Sequence, residues 1–163
     1  MSKKDDRTAK TKPFPWKCQN CGQRAVHDDV VSYPVSVEYD NRTYNFTVPG
    51  LKAPRCQKCG EVFPDAEANR QISAAFRYHA KLLTPQQVRN NRVKLGLTQK
   101  QIAGALAVAE ASISRWETGA QIQQRSLDRL LRLFFEYQQV REALMDEERA
   151  HELGTEVVPQ LAE

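Results

Sequence analysis

All four cysteines of this chain fall in two copies of one short string, KCQNCG at residues 17–22 and RCQKCG at 55–60. Cys18, Cys21, Cys56 and Cys59 thus form C-x2-C…C-x2-C with 34 residues between the pairs. A tight turn brings two thiolates together, and Gly22 and Gly60 sit where such a turn needs a residue that tolerates positive φ. Four thiolates in a tetrahedron match one Zn²⁺, and a closed four-Cys site leaves no position for water, so it is structural. The spacing predicts one structural Zn²⁺ per chain. A single C-x2-C would leave redox chemistry open, but two matching copies without a βαβ pattern point to metal. His27 and His79 are read as ordinary histidines, and Lys17, Arg55 and Lys58 as cations offsetting the charge of the site.

That reading depends on compartment. No apolar stretch approaches the ~20 residues needed to cross a bilayer. The opening MSKKDDRTAKTKPFPW has lysines but no apolar run behind them, so it does not read as a secretory signal. A cytoplasmic protein with no membrane association is expected, in a setting where thiols stay reduced.

Between the cysteine pairs, YPVSVEYDNRTYNFTVPG alternates apolar and polar residues around a DNR turn. This predicts a β-hairpin bounded by Pro34 and by Pro49-Gly50. Residues 16–64 then form a zinc-binding module too small to hold itself together by burial alone, so the metal supplies the missing folding energy.

Past the second cysteine pair the pattern turns helical. Asp65 caps a connecting helix within 65–83, with Ile72, Phe76 and His79 or Ala80 on one stripe. Thr84-Pro85 with Gln87 reads as a capping box that starts a helix over 85–95, ended by Gly96. Thr98 caps a second over 99–106, and a turn at 107–109 leads to a third over 110–117, ended by Gly119. Ser126 is expected to cap a long last helix with Leu127, Leu130, Leu131, Phe134 and Phe135 on its apolar stripe, reaching about Leu153 before a coil. Two short helices joined by a three-residue turn follow the helix-turn-helix plan. Ile102, Leu106, Ile113 and Trp116 are the residues expected to pack them together, with Ala103 at their closest approach.

LGLTQKQIAGAL followed by ASISRWETG resembles the lambda-repressor-like, XRE-type helix-turn-helix family over about residues 86–140. The resemblance implies that Gln99 reaches a phosphate. Lys100 is expected on the backbone beside it, and Glu110, Ala111, Ser112, Ser114 and Arg115 in the major groove. Arg115 is the candidate for a bidentate contact to guanine, worth about 1–3 kcal/mol of discrimination. That family commonly has glycine where this chain has Ala107, and an alanine there is expected to hold φ in a range compatible with its Cβ.

The combination is more specific than either half. With GEVF after the second cysteine pair, LTPQQVRNNRVKLGLTQKQ and SRWETG, residues 16–140 resemble the MqsA-type antitoxins with a YgiT-type zinc finger. The resemblance implies an α+β fold, a zinc-stapled hairpin module followed by an all-α helix-turn-helix domain over 84–145. It also implies a homodimer that represses its own operon at a palindromic site on double-stranded DNA. A ribonuclease toxin, MqsR-like or RelE-like, is expected on the zinc module, with Tyr39, Tyr44 and Phe46 either as its anchors or packed against the helix at 65–82. The base-reading asparagine of that family falls on Ala111, so its operator sequence does not carry over. The dimer surface is expected on the last helix, at Leu130, Leu133, Phe134 and Tyr137.

Charge supports a polyanion partner for the middle of the chain. Residues 84–145 hold nine Lys/Arg against five acids, and 146–163 hold one against six. Residues 1–15 read as a basic flexible leader and 146–163 as an acidic tail, both outside the resemblance. No catalytic constellation is present, so no enzyme is expected. The alternative is a stand-alone zinc-bearing XRE-type regulator with no toxin.

Overall fold

The computed structural model describes residues 13–152. A three-stranded antiparallel sheet of order β1-β2-β3 precedes six helices, so the fold is α+β. The strands are β1 Trp16–Lys17, β2 Arg24–Tyr39 and β3 Arg42–Cys56. The helices are α1 Ala66–His79, α2 Pro85–Lys94, α3 Gln99–Ala105, α4 Glu110–Thr118, α5 Arg125–Glu136 and α6 Gln138–Glu152. No described helix is long and apolar enough to cross a membrane.

β2 and β3 form the predicted hairpin, but it is twice as long as the prolines suggested. Its two-residue turn places Asp40 and Asn41 at φ 53° and 56°, the left-handed pair of a type I′ turn, whose twist matches the strands and which Asp and Asn tolerate best. Pro34 is exposed within β2 and Pro49 is exposed within β3. A strand can carry a proline where no ladder donor is needed, and Gly50 at φ 65° absorbs the local bend.

The chain divides into two compact units, and both hairpin and α1 contribute residues to each. The first comprises the chain through Val35 with Thr47–Ile72; the second comprises Ser36–Phe46 with the chain from Ser73 onward. The hairpin tip is therefore part of the helical unit, a division that differs from the breaks read at 64 and 83.

In the first unit, the core around the cysteines is Cys18, Ala25, Val26 and Cys56, flanked by Phe14, Trp16 and Phe63. Phe14 stacks on Trp16 with ring centroids 4.4 Å apart, so the last residues of the expected leader belong to this core. Residues 1–12 and 153–163, the rest of the leader and most of the acidic tail, lie outside the described residues. Asp65 caps α1 as expected, accepting from the Ala68 N–H at 2.8 Å.

In the second unit, Leu83, Val88, Ile102, Leu106, Ile113, Trp116, Leu131 and Phe134 are among the residues that make one buried cluster. The predicted capping boxes Thr84/Gln87 and Thr98/Gln101 are both closed, and Gly119 ends α4 at φ 79°. Four local readings are corrected. Ser126 is no cap: α5 starts at Arg125 behind Gln124, two residues earlier than a cap at Ser126 would place it, and without a side-chain cap. The last helix is not continuous, because Tyr137 is extended at φ −105°, ψ 117°, and α6 turns back to pack on α3 and α5. Ala107 adopts φ 50° despite its Cβ, so the turn keeps the left-handed geometry that favours glycine. The connecting helix also stops short of its expected end, with Lys81 left-handed at φ 56°.

Candidate metal centre and nucleic-acid interface

The two cysteine turns are built alike. At the first, the Cys18 N–H donates to Gln23 O at 2.8 Å and the Gly22 N–H to Cys18 O at 3.0 Å. At the second, the Cys56 N–H donates to Glu61 O at 2.8 Å and the Gly60 N–H to Cys56 O at 2.9 Å. Gly22 and Gly60 stand at φ 75° and 79°, which a side chain would strain. The Gln57 N–H donates to Ala25 O at 2.8 Å, fastening the second turn to the strand that leaves the first.

This brings all four Sγ atoms within 4.8 Å of one another. Cys18 Sγ and Cys59 Sγ are 3.6 Å apart, and Cys21 Sγ and Cys56 Sγ 3.7 Å. These separations are far too long for a disulfide. A tetrahedron with metal–sulfur bonds of about 2.3 Å has edges of about 3.8 Å, so the donor set fits a tetrahedral zinc ion. Without the metal the thiols divide the charge unevenly. The Cys56 thiol is lowered to about 6, first by the Cys59 backbone N–H and then by that of Lys58. The Cys21 thiol is raised to about 11: the backbone hydrogen bond at Gln23 lowers it, but burial and the other three sulfurs outweigh that. A bound cation would remove this competition, since a coordinated thiol is deprotonated outright.

Around the sulfurs, the Asn20 amide donates towards Cys59 Sγ at 3.8 Å. Arg55 donates through Nε to Gly60 O at 3.4 Å and lies 3.9 Å from Asp29. Among the described residues, these four cysteines make the one cluster of potential ligands. His27 lies against Phe14 and His79 stacks on Phe46, so both are outside it.

Helices α2, α3 and α4 share a polar fixture of their own. The Glu117 side chain, only 4% exposed, accepts from Arg92 through both carboxylate oxygens, at 2.9 Å from Nη2 and through Nε to the other. It also accepts from Gln99 Nε2 at 2.9 Å. Arg92 uses its last nitrogen on Leu97 O at 2.8 Å. Burial pushes the Glu117 carboxyl up, but the hydrogen bonds from Arg92 and Gln99 and the charge of Arg92 outweigh it and hold the pKa below its usual value. Three helices are tied at one carboxylate: α2 through Arg92, α3 through Gln99 and α4 through Glu117. Sequence reading missed Arg92 and Glu117, although WETG contains the glutamate, because a partner 25 residues away leaves no local signal.

Around that fixture Lys100, Glu110, Ala111 and Arg115 are exposed, while Gln99, Ser112 and Ser114 are half-buried. Ile102, Ala103, Leu106, Ile113 and Trp116 are buried, as expected for the helix-helix contact. The loop after α4 is held from behind. Arg77, itself buried, donates to Gly119 O at 3.4 Å and Gln121 O at 3.2 Å, and Tyr39 donates its O–H to Gln123 O.

A duplicated cysteine turn ahead of this helical arrangement is matched by a family model described as the antitoxin component of a bacterial toxin-antitoxin system, MqsA, over residues 16–147. The chain belongs to the MqsA antitoxin family. No curated protein matches it. Two expectations about interaction surfaces change with the structure. Tyr39, Tyr44 and Phe46 are not free anchors: their rings surround Phe76 at 5.1, 5.4 and 6.4 Å, and Phe46 is buried. Alternation along the hairpin turned these rings to one face, and α1 supplies the ring that covers it. Phe134 is wholly buried in the helical core and offers no dimer surface. Leu133 and Tyr137, at 45% and 47% exposed, remain open, and Leu130 is half-buried.

Proposed function

We propose that this MqsA-family antitoxin is a homodimeric repressor of its own operon, stapled by one zinc per chain, which neutralises a ribonuclease toxin through its first unit. The observation that carries the DNA-binding half is the Arg92–Glu117–Gln99 fixture. A buried carboxylate that orients Gln99 at the start of α3, with Arg115 exposed on α4, prepares one side chain for a phosphate and another for a base edge. Gln99 and Lys100 set position on the backbone. Glu110, Ala111, Ser112, Ser114 and Arg115 line the element that enters the major groove, with Arg115 reading a guanine. Two copies bind a palindrome because two such helices must lie about one helical turn apart, ~34 Å. Leu133 on α5 and Tyr137 just past its end form the dimer patch, with Leu130 at its edge.

Zinc is the metal that four clustered thiolates select at these separations. It holds a unit whose buried residues are mostly small, and structural zinc in zinc-finger peptides contributes about 10–16 kcal/mol. The toxin docks on this unit by its strand edges and by the hollow of about 630 Å³ that Val30, Tyr33, Pro34 and Val62 help line. An exposed edge offers main-chain pairing, and apolar side chains beside it add specificity.

Footprinting of the full chain on DNA upstream of its own gene tests the reading. A protected palindrome, lost in Arg115→Ala, is the expected result. Equal binding to random DNA would refute operator recognition. For the toxin, the adjoining gene product should arrest growth alone and not when this chain is co-expressed. Arrest that persists would leave the stand-alone regulator as the better description.

A further inference from the structure

The second unit contains a hollow of about 410 Å³ lined by cations from three stretches far apart in sequence. Arg42 comes from the hairpin tip, Lys81 from the link between α1 and α2, and Arg125, Arg129 and Arg132 from α5. Among the described residues the hollow has one carboxylate, Asp128, which is buried and fully engaged. It accepts from the Leu83 N–H at 2.7 Å, from Gln123 Nε2 at 3.0 Å and from Arg132 Nε at 2.8 Å. Arg132 spends a further nitrogen on Lys81 O at 2.9 Å. Arg42, Lys81, Arg125 and Arg129 have no hydrogen bond or ion pair from their side chains among the described residues. Gathering four unpaired like charges around one hollow opposes folding. Their placement is accounted for by an anion that the described residues do not provide.

We infer that this hollow is a backbone-phosphate site that grips duplex DNA beyond the base pairs read by α4. The inference rests on the operator-binding reading above. Arg125 opens α5 six residues past Gly119, so the cationic lining begins just where the DNA-facing segment ends. Its free groups are three guanidiniums and one ammonium, which suit phosphates. Contacts to backbone phosphates add affinity without sequence preference. An acidic polypeptide is the other anion such a surface could attract, and the test separates the two.

The experiment measures operator affinity of the full chain against salt concentration for wild type, Arg42→Gln/Arg129→Gln and Arg42→Lys/Arg129→Lys. Each phosphate contact contributes about 0.9 to the slope of log affinity against log salt. In a dimer on a palindrome the glutamine pair removes four such contacts, so it should lower that slope by about 3.6 and weaken specific and random duplexes by the same factor. The lysine pair should keep the slope. Both residues lack partners and repel their neighbours, so the melting temperature of the glutamine pair should not fall below the wild-type value. With an operator trimmed to the palindrome, wild type should show the lowered slope as well. An unchanged slope in the glutamine pair overturns the inference, and loss of polyglutamate binding alongside that unchanged slope reassigns the hollow to an acidic protein segment. A wild-type chain that binds no duplex at all removes the operator reading first, which is a different failure.

Discussion

Tyr39, at the hairpin tip, donates its phenolic O–H to the backbone carbonyl of Gln123, in the loop that follows α4. Burial first, and then the nearby Asp40 and Asp128, push the phenol up to about 12, so it remains a donor at every ordinary pH. Replacing it by phenylalanine keeps the ring against Phe76 and removes only the donor. Tyr39→Phe should cost about 0.5–1.5 kcal/mol of stability, read as a lower melting temperature of the full chain. An unchanged melting temperature would show that water replaces the phenol without loss.

Ala107 holds a left-handed backbone that costs an L-residue about 1–2 kcal/mol. Glycine removes that strain and adds some entropy to the unfolded chain. Ala107→Gly should therefore stabilise the second unit by about 0.5–1 kcal/mol in urea titration. Destabilisation would mean that the alanine methyl is worth more than the strain it brings.

The Arg92–Glu117 pair is buried, and breaking it leaves a charge without compensation. Arg92→Leu should cost about 3–5 kcal/mol. The pH dependence follows from the lowered Glu117 pKa. The folded carboxyl titrates below its ordinary value near 4.5, so its contribution is complete above pH ~4.5 and is lost as pH falls through the lowered value. Glu117→Gln should flatten that acid limb of stability, measured by denaturant titration at pH 3–6. An acid limb as steep as that of wild type would assign the effect to other carboxyls.

Arg115→Ala and Lys100→Ala separate reading from holding. The first should cut affinity for the operator by about 1–3 kcal/mol while leaving random DNA nearly untouched. The second should weaken both equally. Equal losses for Arg115→Ala would place it on the backbone.

Much of this arrangement was legible in the chain. The cysteine copies, the capping boxes and the spacing of Ile102, Leu106, Ile113 and Trp116 are local patterns with local physical causes, and the structure realises them. The strand ends were not legible, because exposed prolines in β2 and β3 break a pattern without breaking a strand. Nor was the fate of Tyr39, Tyr44, Phe46 and Phe134. Alternation and helical period say which way a ring faces, but not whether Phe76 or the α2–α5 core waits there. The Arg92–Glu117 pair and the cations Arg42, Lys81 and Arg129 come together only through tertiary folding.

The metal content of the purified full chain, measured together with its reactive thiols, tests the zinc staple most directly. One zinc per chain is predicted, with the four thiols unreactive until a strong chelator removes the metal, at which point the first unit unfolds and the hairpin's strand signal is lost. Protein that carries no zinc, reacts at four thiols at once and keeps that signal in chelator would contradict it.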